Sequence, residues 1–258
     1  MFPRDPARRE PAINLPAPLV AFILLLLVIH AIREFLLADA TDVSLLLGTG
    51  FIPAQWTVAF GWAETSELLR PLEEGATASD LAAGQLALGR YLLERPLRPW
   101  SLLTHAFLHG SWLHVGLNVV WLAAFGTPVL RRLGTLRFAA LSVVSAIGGA
   151  AVYWLFEPHG LQLVIGASGI VSGVMGAAAL FVFPARPGEP ADLRSFVRNR
   201  QALVFVGLWL VFNVAAGLFA VPVQTAGGIA WQAHIGGLLA GMLAFPLLDP
   251  WRRGAIRA

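Results

Sequence analysis

Residues 201–248 read QALVFVGLWLVFNVAAGLFAVPVQTAGGIAWQAHIGGLLAGMLAFPLL, a run of 48 residues without Asp, Glu, Lys or Arg. A membrane-spanning helix needs roughly 20 apolar residues, so this run is long enough for two helices. The segment 221–228 (VPVQTAGG) supplies the turn residues that separate them. The run therefore predicts two transmembrane helices, at about 201–220 and 230–248.

Four other charge-free runs precede this one, at 11–32, 99–130, 138–156 and 158–185. Together the five runs predict six transmembrane helices, at 17–37, 112–130, 136–156, 168–184, 201–220 and 230–248. The alternative is a soluble bundle of buried helices, but such helices are shorter and keep a charged face. The first span is too long for a signal peptide, and no small-residue cleavage site follows it. The fold class predicted is an all-α membrane protein.

The composition agrees with this interpretation. Hydrophobic residues make up 57% of the 258-residue chain and charged residues 13%, against about 25% charged residues in soluble domains. These values exclude a disordered chain and argue against a soluble globule. The absence of Cys excludes disulfides, thiol catalysis and Cys-ligated metals. The arginines lie between apolar runs rather than on one face, so nucleic acid is not an expected partner.

The basic residues, all Arg, indicate the orientation of the chain. Thirteen of the 18 lie before the first span, after the second and fourth spans, and after the last. Cytoplasmic segments are enriched in Arg and Lys, and six spans place both ends on one side, so both termini are predicted to be cytoplasmic. Arginine without lysine is typical of GC-rich bacterial genomes, and a bacterial inner membrane is expected. The domain prediction is a tail at 1–11, a membrane domain at 12–249 and a tail at 250–258.

The first external loop, residues 38–98, is long and unusually apolar for a solvated segment. It contains apolar clusters and a helix-like stretch from Leu81 to Leu93. It is predicted to be partly embedded in the outer membrane interface, where Trp and Tyr prefer to lie. The alternative is a small external subdomain.

Three sets of polar residues lie at membrane depth, where unpaired polar groups are costly and usually functional. The first comprises His105, His109, His114 and Asn118; His114 and Asn118 are four residues apart and share a helix face. Hydrogen bonding to carbonyl oxygens of an irregular loop is the structural alternative for this set.

The second set is Gly166-Ala167-Ser168-Gly169, at the start of the fourth span. A helix N-terminus offers free N–H groups that stabilise an oxyanion, although an N-cap serine would also suit this position. The third set is His234, one turn before the close-packing pair Gly237 and Gly241. An imidazole that serves only in helix packing is the alternative there.

Combined, these sets place Ser168, His234, His114 and Asn118 near the external third of the membrane. Acyl transfer requires a nucleophile, a base and oxyanion donors of these kinds. No Asp or Glu lies at that depth, so the set predicts a Ser168–His234 dyad rather than a triad.

Over residues 97–248 the chain resembles the rhomboid family of intramembrane serine proteases. The motifs are His105-x3-His109-x4-His114-x3-Asn118, Gly166-x-Ser168-Gly169 and Ala233-His234-x2-Gly237-x3-Gly241. The resemblance implies that Ser168 is the nucleophile and His234 its general base, with oxyanion donors in the side chains of His114 and Asn118 and the N–H of Ser168. It implies structural or water-retaining roles for His105 and His109, transmembrane proteins as substrates, a lipid bilayer as surroundings, and no cofactor or metal.

One departure from the family concerns the support of the base. Many members carry an aromatic ring four residues after the nucleophile, but this chain has Ser172, and Trp231 or Phe107 is expected to replace the ring. Two other functions stay open: an inactive rhomboid-like protein that binds transmembrane clients, and a metal-dependent protein or transporter that uses the histidines. No oligomeric state is indicated.

Overall fold

A computed structural model describes residues 14–183, 191–219 and 229–250. Within these ranges the regular structure is helical, apart from a single bridge between Phe51 and Val164. The α-helices are α1 (Ala17–Phe35), α2 (Asp39–Thr49), α3 (Pro53–Ala59), α4 (Thr65–Gly75), α5 (Asp80–Leu93), α6 (Ser101–Thr104), α7 (Trp112–Leu133), α8 (Thr135–Phe156), α9 (Ser168–Ala179), α10 (Leu193–Phe196), α11 (Arg200–Phe219) and α12 (Trp231–Leu248).

Five helices of the described chain, α1, α7, α8, α11 and α12, are long and apolar enough to cross a membrane. Helix α9 forms in the fourth predicted span but has 12 residues and ends at Ala179, five residues before the predicted end. The predicted break at 221–228 and both terminal tails fall outside the described residues, apart from Pro250. The prediction of an all-α membrane protein is confirmed.

Helix α9 lies at the centre of the bundle, packed between α7, α8 and α12. Eleven of its 12 residues are buried, so it is surrounded by protein rather than lipid. Its contact with α12 is backbone to backbone: a Cβ on Gly237 would overlap the carbonyl oxygen of Gly169, and one on Gly241 that of Gly173. Small residues thus bring the helices that carry Ser168 and His234 into direct contact.

The segment predicted to be the first external loop folds into helices α2 to α5. The helix predicted at Leu81–Leu93 is confirmed by α5, which packs with α3 and α4 around Ala54, Leu69 and Leu93. A second cluster joins Phe51 and Trp56 of this layer to helices α8 and α12. The layer therefore has an apolar cluster of its own, as in the subdomain alternative, and is also anchored to the bundle.

Ion pairs hold the helix ends at both faces. At the C-terminal end of α1, Arg33 donates to both carboxylate oxygens of Asp42, at 2.7 and 3.0 Å. At the opposite end, Arg132 of α7 lies 2.6 Å from Asp249, whose side chain is 2% exposed. Breaking such a buried pair leaves an uncompensated charge and is strongly destabilising.

Candidate active site

The segment that leads into α7 positions the predicted histidines. After α6 the chain makes a short 3₁₀ turn over His105–Phe107, becomes extended at Leu108, and enters α7 with Ser111 at the N-cap. The hydroxyl of Ser111 accepts the N–H of His114 at 3.2 Å. The stretch is therefore not one helix: His105 and His109 lie before α7, and His114 lies in its first turn.

His105 joins this segment to the loop before α9. Its Nδ1 lies 2.8 Å from the carbonyl oxygen of Ser101, and its own carbonyl accepts the N–H of Gly166 at 2.9 Å. Desolvation by burial lowers the pKa of His105 to about 4. His105 thus connects α6 to this loop, with its ring bonded to Ser101 and its backbone carbonyl to Gly166.

His109 contacts the loop directly. Its Nε2 accepts the N–H of Ala167 at 3.2 Å, so Nδ1 carries the ring proton. Burial, followed by the nearby charges of His114, His30 and Arg33, lowers the pKa of His109 to about 3. A neutral imidazole therefore fixes the residue that precedes Ser168.

Gly166 adopts a conformation that requires glycine, with φ of +128°. A Cβ at this position would lie 2.7 Å from Nε2 of His114 and 3.6 Å from Oγ of Ser168. The His114 ring and the Ser168 hydroxyl therefore approach the same point of the loop. Any larger residue at 166 would displace the His114 ring.

Ser168 is the first helical residue of α9, and Ala167 occupies the N-cap. The N-cap alternative for Ser168 is therefore wrong: its hydroxyl is not the cap. First-turn N–H groups of a helix have no intrahelical partner, and the N–H of Ser168 is one of them. Ser172, one turn on, donates its hydroxyl to the carbonyl oxygen of Ser168 at 2.7 Å and is 3% exposed.

His234 lies in the first turn of α12, whose backbone closely approaches the start of α9. A Cβ on Gly149 of α8 would lie 2.9 Å from the carbonyl oxygen of Ala233 and 3.6 Å from Cα of Gly169. The residues adjacent to His234 and Ser168 thus meet at one point on α8. No hydrogen bond joins Ser168 to His234 within the described residues.

Asn118 lies one turn below His114 on α7 and is 5% exposed. Its Nδ2 donates to the carbonyl oxygen of His114 at 3.0 Å. A side-chain amide has two N–H donors, so this bond orients the group and leaves one donor for a ligand.

The support of the His234 ring differs from the prediction. Trp231 packs edge-on against Phe156, and Phe107 packs against Phe22; neither stacks on His234 in the part of the chain described. The prediction that one of them replaces the missing ring is therefore wrong. Instead, Nδ1 of His234 lies 2.6 Å from Oδ1 of Asn213, on α11.

Asn213 is a residue of the site that the sequence predictions missed. The signal was present, because Asn213 is a polar residue inside the charge-free run 201–248. The described residues contain no group of three His, Asp or Glu side chains that could hold a metal ion. The arrangement offers a hydroxyl, an imidazole and several N–H donors, which is the chemistry of acyl transfer.

Comparison with known proteins adds a family match. The rhomboid domain family matches residues 96–250. Rhomboid protease GlpG of Serratia proteamaculans is 37% identical over 147 residues, 57% of this chain and 47% of its own length. RHOMBOID-like protein 5 of Arabidopsis thaliana is 34% identical over 164 residues, 63% of this chain and 48% of its own. The chain spans about half the length of these relatives.

Proposed function

The chain belongs to the rhomboid family, and we propose that it is an intramembrane serine endopeptidase that cleaves transmembrane proteins near the external membrane face. The observation that carries the proposal is the position of Ser168, at the N-terminus of a buried helix where its N–H has no intrahelical partner, beside His114 and next to the close contact between α9 and α12. The relatives named as rhomboid proteases support the same activity.

The length of α9 supports a site below the membrane surface. Twelve residues correspond to about 18 Å of helix, against about 30 Å of hydrocarbon. Because α9 leads into the arginine-bearing segment 191–200, which is predicted to be cytoplasmic, its N-terminus falls short of the external face. Ser168 would therefore meet a substrate inside the membrane rather than in bulk water.

In the proposed reaction His234 takes the hydroxyl proton of Ser168 as Oγ attacks the scissile carbonyl carbon. The oxyanion is held by the side chains of His114 and Asn118 and by the N–H of Ser168. The C–N bond then breaks and His234 protonates the leaving amine. Water, losing a proton to His234, releases the second product as a carboxylic acid and restores Ser168.

The lack of a Ser168–His234 hydrogen bond is compatible with this role. Bonds between a nucleophile and its base are often long before substrate binds and tighten in the reacting complex. A helical substrate must also open locally, because its backbone carbonyls are hydrogen-bonded within the helix. Small and helix-breaking residues near the external face are the expected context of cleavage.

The test is labelling of the full chain in liposomes by a fluorophosphonate probe, together with cleavage of a single-span model substrate. Ser168→Ala is expected to abolish both, whereas Ser172→Ala, the matched control, keeps them. Asn118→Ala should reduce cleavage by roughly 10²–10³, the value of one oxyanion donor. Wild-type cleavage by Ser168→Ala would overturn the assignment. A folded wild type that neither labels nor cleaves would favour the inactive, client-binding alternative.

A further inference from the structure

Asn213 makes two hydrogen bonds from the middle of α11. Its Nδ2 donates to the carbonyl oxygen of Trp209 at 2.9 Å, and its Oδ1 lies 2.6 Å from Nδ1 of His234. The residue is 8% exposed. A polar side chain at membrane depth is costly unless it is paired, and both ends of this amide have partners.

The two partners determine which way the amide points. A carbonyl oxygen such as that of Trp209 can only accept a hydrogen bond, so the NH₂ group must face it. The amide oxygen therefore faces His234, and since this oxygen can only accept, Nδ1 of His234 must carry the proton. The backbone of α11 thus sets the tautomer of an imidazole on α12.

We propose that Asn213 is a positioning residue for His234. It keeps the proton on Nδ1 and holds the ring, so that the lone pair of Nε2 is available to accept the proton of Ser168. This inference rests on the function proposed above. It makes the site a Ser168–His234–Asn213 triad, in which the amide orients the imidazole as a carboxylate does in other serine hydrolases.

An amide suits this depth better than a carboxylate. Burying an ionised carboxylate is far more costly than burying a hydrogen-bonded amide. When His234 becomes an imidazolium during the reaction, its Nδ1–H bond to Oδ1 becomes charge-assisted and strengthens. Asn213 would therefore stabilise the protonated base without a permanent charge in the membrane.

The competing account is that Asn213 only ties α11 to α12. Only 17% of the apolar stretch of α11 is buried against the rest of the protein. One buried hydrogen bond could therefore matter for the packing of this helix. The test must therefore separate the rate of the chemical step from the attachment of the helix.

The experiment measures kcat and KM for a single-span model substrate in liposomes containing the full chain. Asn213→Leu keeps a similar volume but removes the acceptor, and should lower kcat by roughly 10²-fold with KM unchanged. Asn213→Gln restores an amide, with an oxygen acceptor for His234 and an NH₂ donor for the Trp209 carbonyl, and should recover part of kcat. Val206→Ala loosens the same helix at a buried position, about 10 Å away along the axis, and should leave kcat near wild type.

The outcomes distinguish the two accounts. Loss of kcat in Asn213→Leu, partial rescue by Asn213→Gln and retention in Val206→Ala support the positioning role. Wild-type kcat in Asn213→Leu, the same kcat in Asn213→Gln as in Asn213→Leu, or an equal loss in Val206→Ala would overturn it. If Asn213→Leu does not fold, the ¹⁵N imidazole spectrum of the wild type decides, with His234→Ala identifying the signal.

That spectrum is also independent of the proposed activity. A His234 ring protonated at Nδ1 supports the inference, and a ring protonated at Nε2 contradicts it. A wild type that neither labels nor cleaves, but shows the Nδ1–H tautomer, would refute the proposed function and leave the contact between Asn213 and His234 intact.

Discussion

His109 shows how a single buried ring can make the stability of the protein depend on pH. Its ring is fully buried, and its pKa is lowered from 6.5 to about 3. Between these two values the unfolded chain binds a proton that the folded chain does not, so the free energy of unfolding falls as pH falls. Above pH 6.5 the full stability is present.

We expect His109→Gln to be less stable than the wild type near neutral pH, but with a weaker loss of stability as pH falls from 6.5 toward 4. The measurement is the thermal unfolding midpoint of detergent-solubilised protein across this range. His159→Gln, in an exposed loop, is the control and should follow the wild type. Equal slopes for His109→Gln and the wild type would show that His109 is not a source of the dependence.

At the residue scale, the site residues that could be predicted are those recognised from short spacings in the sequence. His114 and Asn118 are four residues apart on α7, and Ser168 is the first residue of α9. Local sequence patterns are therefore enough to identify all three. Asn213 and Arg33 were not predicted, because each acts across a tertiary contact with a distant segment. Their partners depend on how helices face one another, which periodicity does not specify.

At the element scale, α9 and α12 approach each other backbone to backbone beside the site. Gly237→Ala should destabilise the protein by about 1–3 kcal/mol or more, because the new Cβ overlaps the carbonyl oxygen of Gly169. Gly207→Ala on α11, where a Cβ meets nothing within 4 Å, is the matched control and should be neutral or slightly stabilising. Unfolding in denaturant measures both; equal stability of the two variants would contradict the packing argument.

The bounds of the long helices followed from the sequence more closely than those of α9. Charge-free runs identify lipid-length segments directly, and α8 was predicted at 136–156 and observed at Thr135–Phe156. Helix α9 is apolar because protein surrounds it, and hydropathy does not distinguish a lipid neighbour from a protein neighbour. Its early end at Ala179 could not be predicted from composition.

At the scale of the whole molecule, the arginine distribution predicts which face is cytoplasmic. Since the chain has no Cys, single cysteines can report this without background. Ser66→Cys, in the first external loop, should react with an impermeant maleimide in intact cells. Thr135→Cys, at the first residue of α8, should react only after permeabilisation. Both positions are exposed and uncharged, so the arginine count is unchanged. The opposite labelling pattern would reverse the predicted orientation.

The contacts of Arg33 determine how much of the chain a fragment must include to keep the site loop anchored. Arg33 of α1 donates to the carbonyl oxygen of His109 at 2.7 Å, and the His109 ring accepts the N–H that precedes Ser168. Helix α1 lies outside the matched family domain, which begins at residue 96. A fragment cut at that boundary would contain every predicted site residue and lose the side chain that anchors their loop. The smallest fragment that keeps this anchor therefore starts at α1, about eighty residues before the start of the family domain.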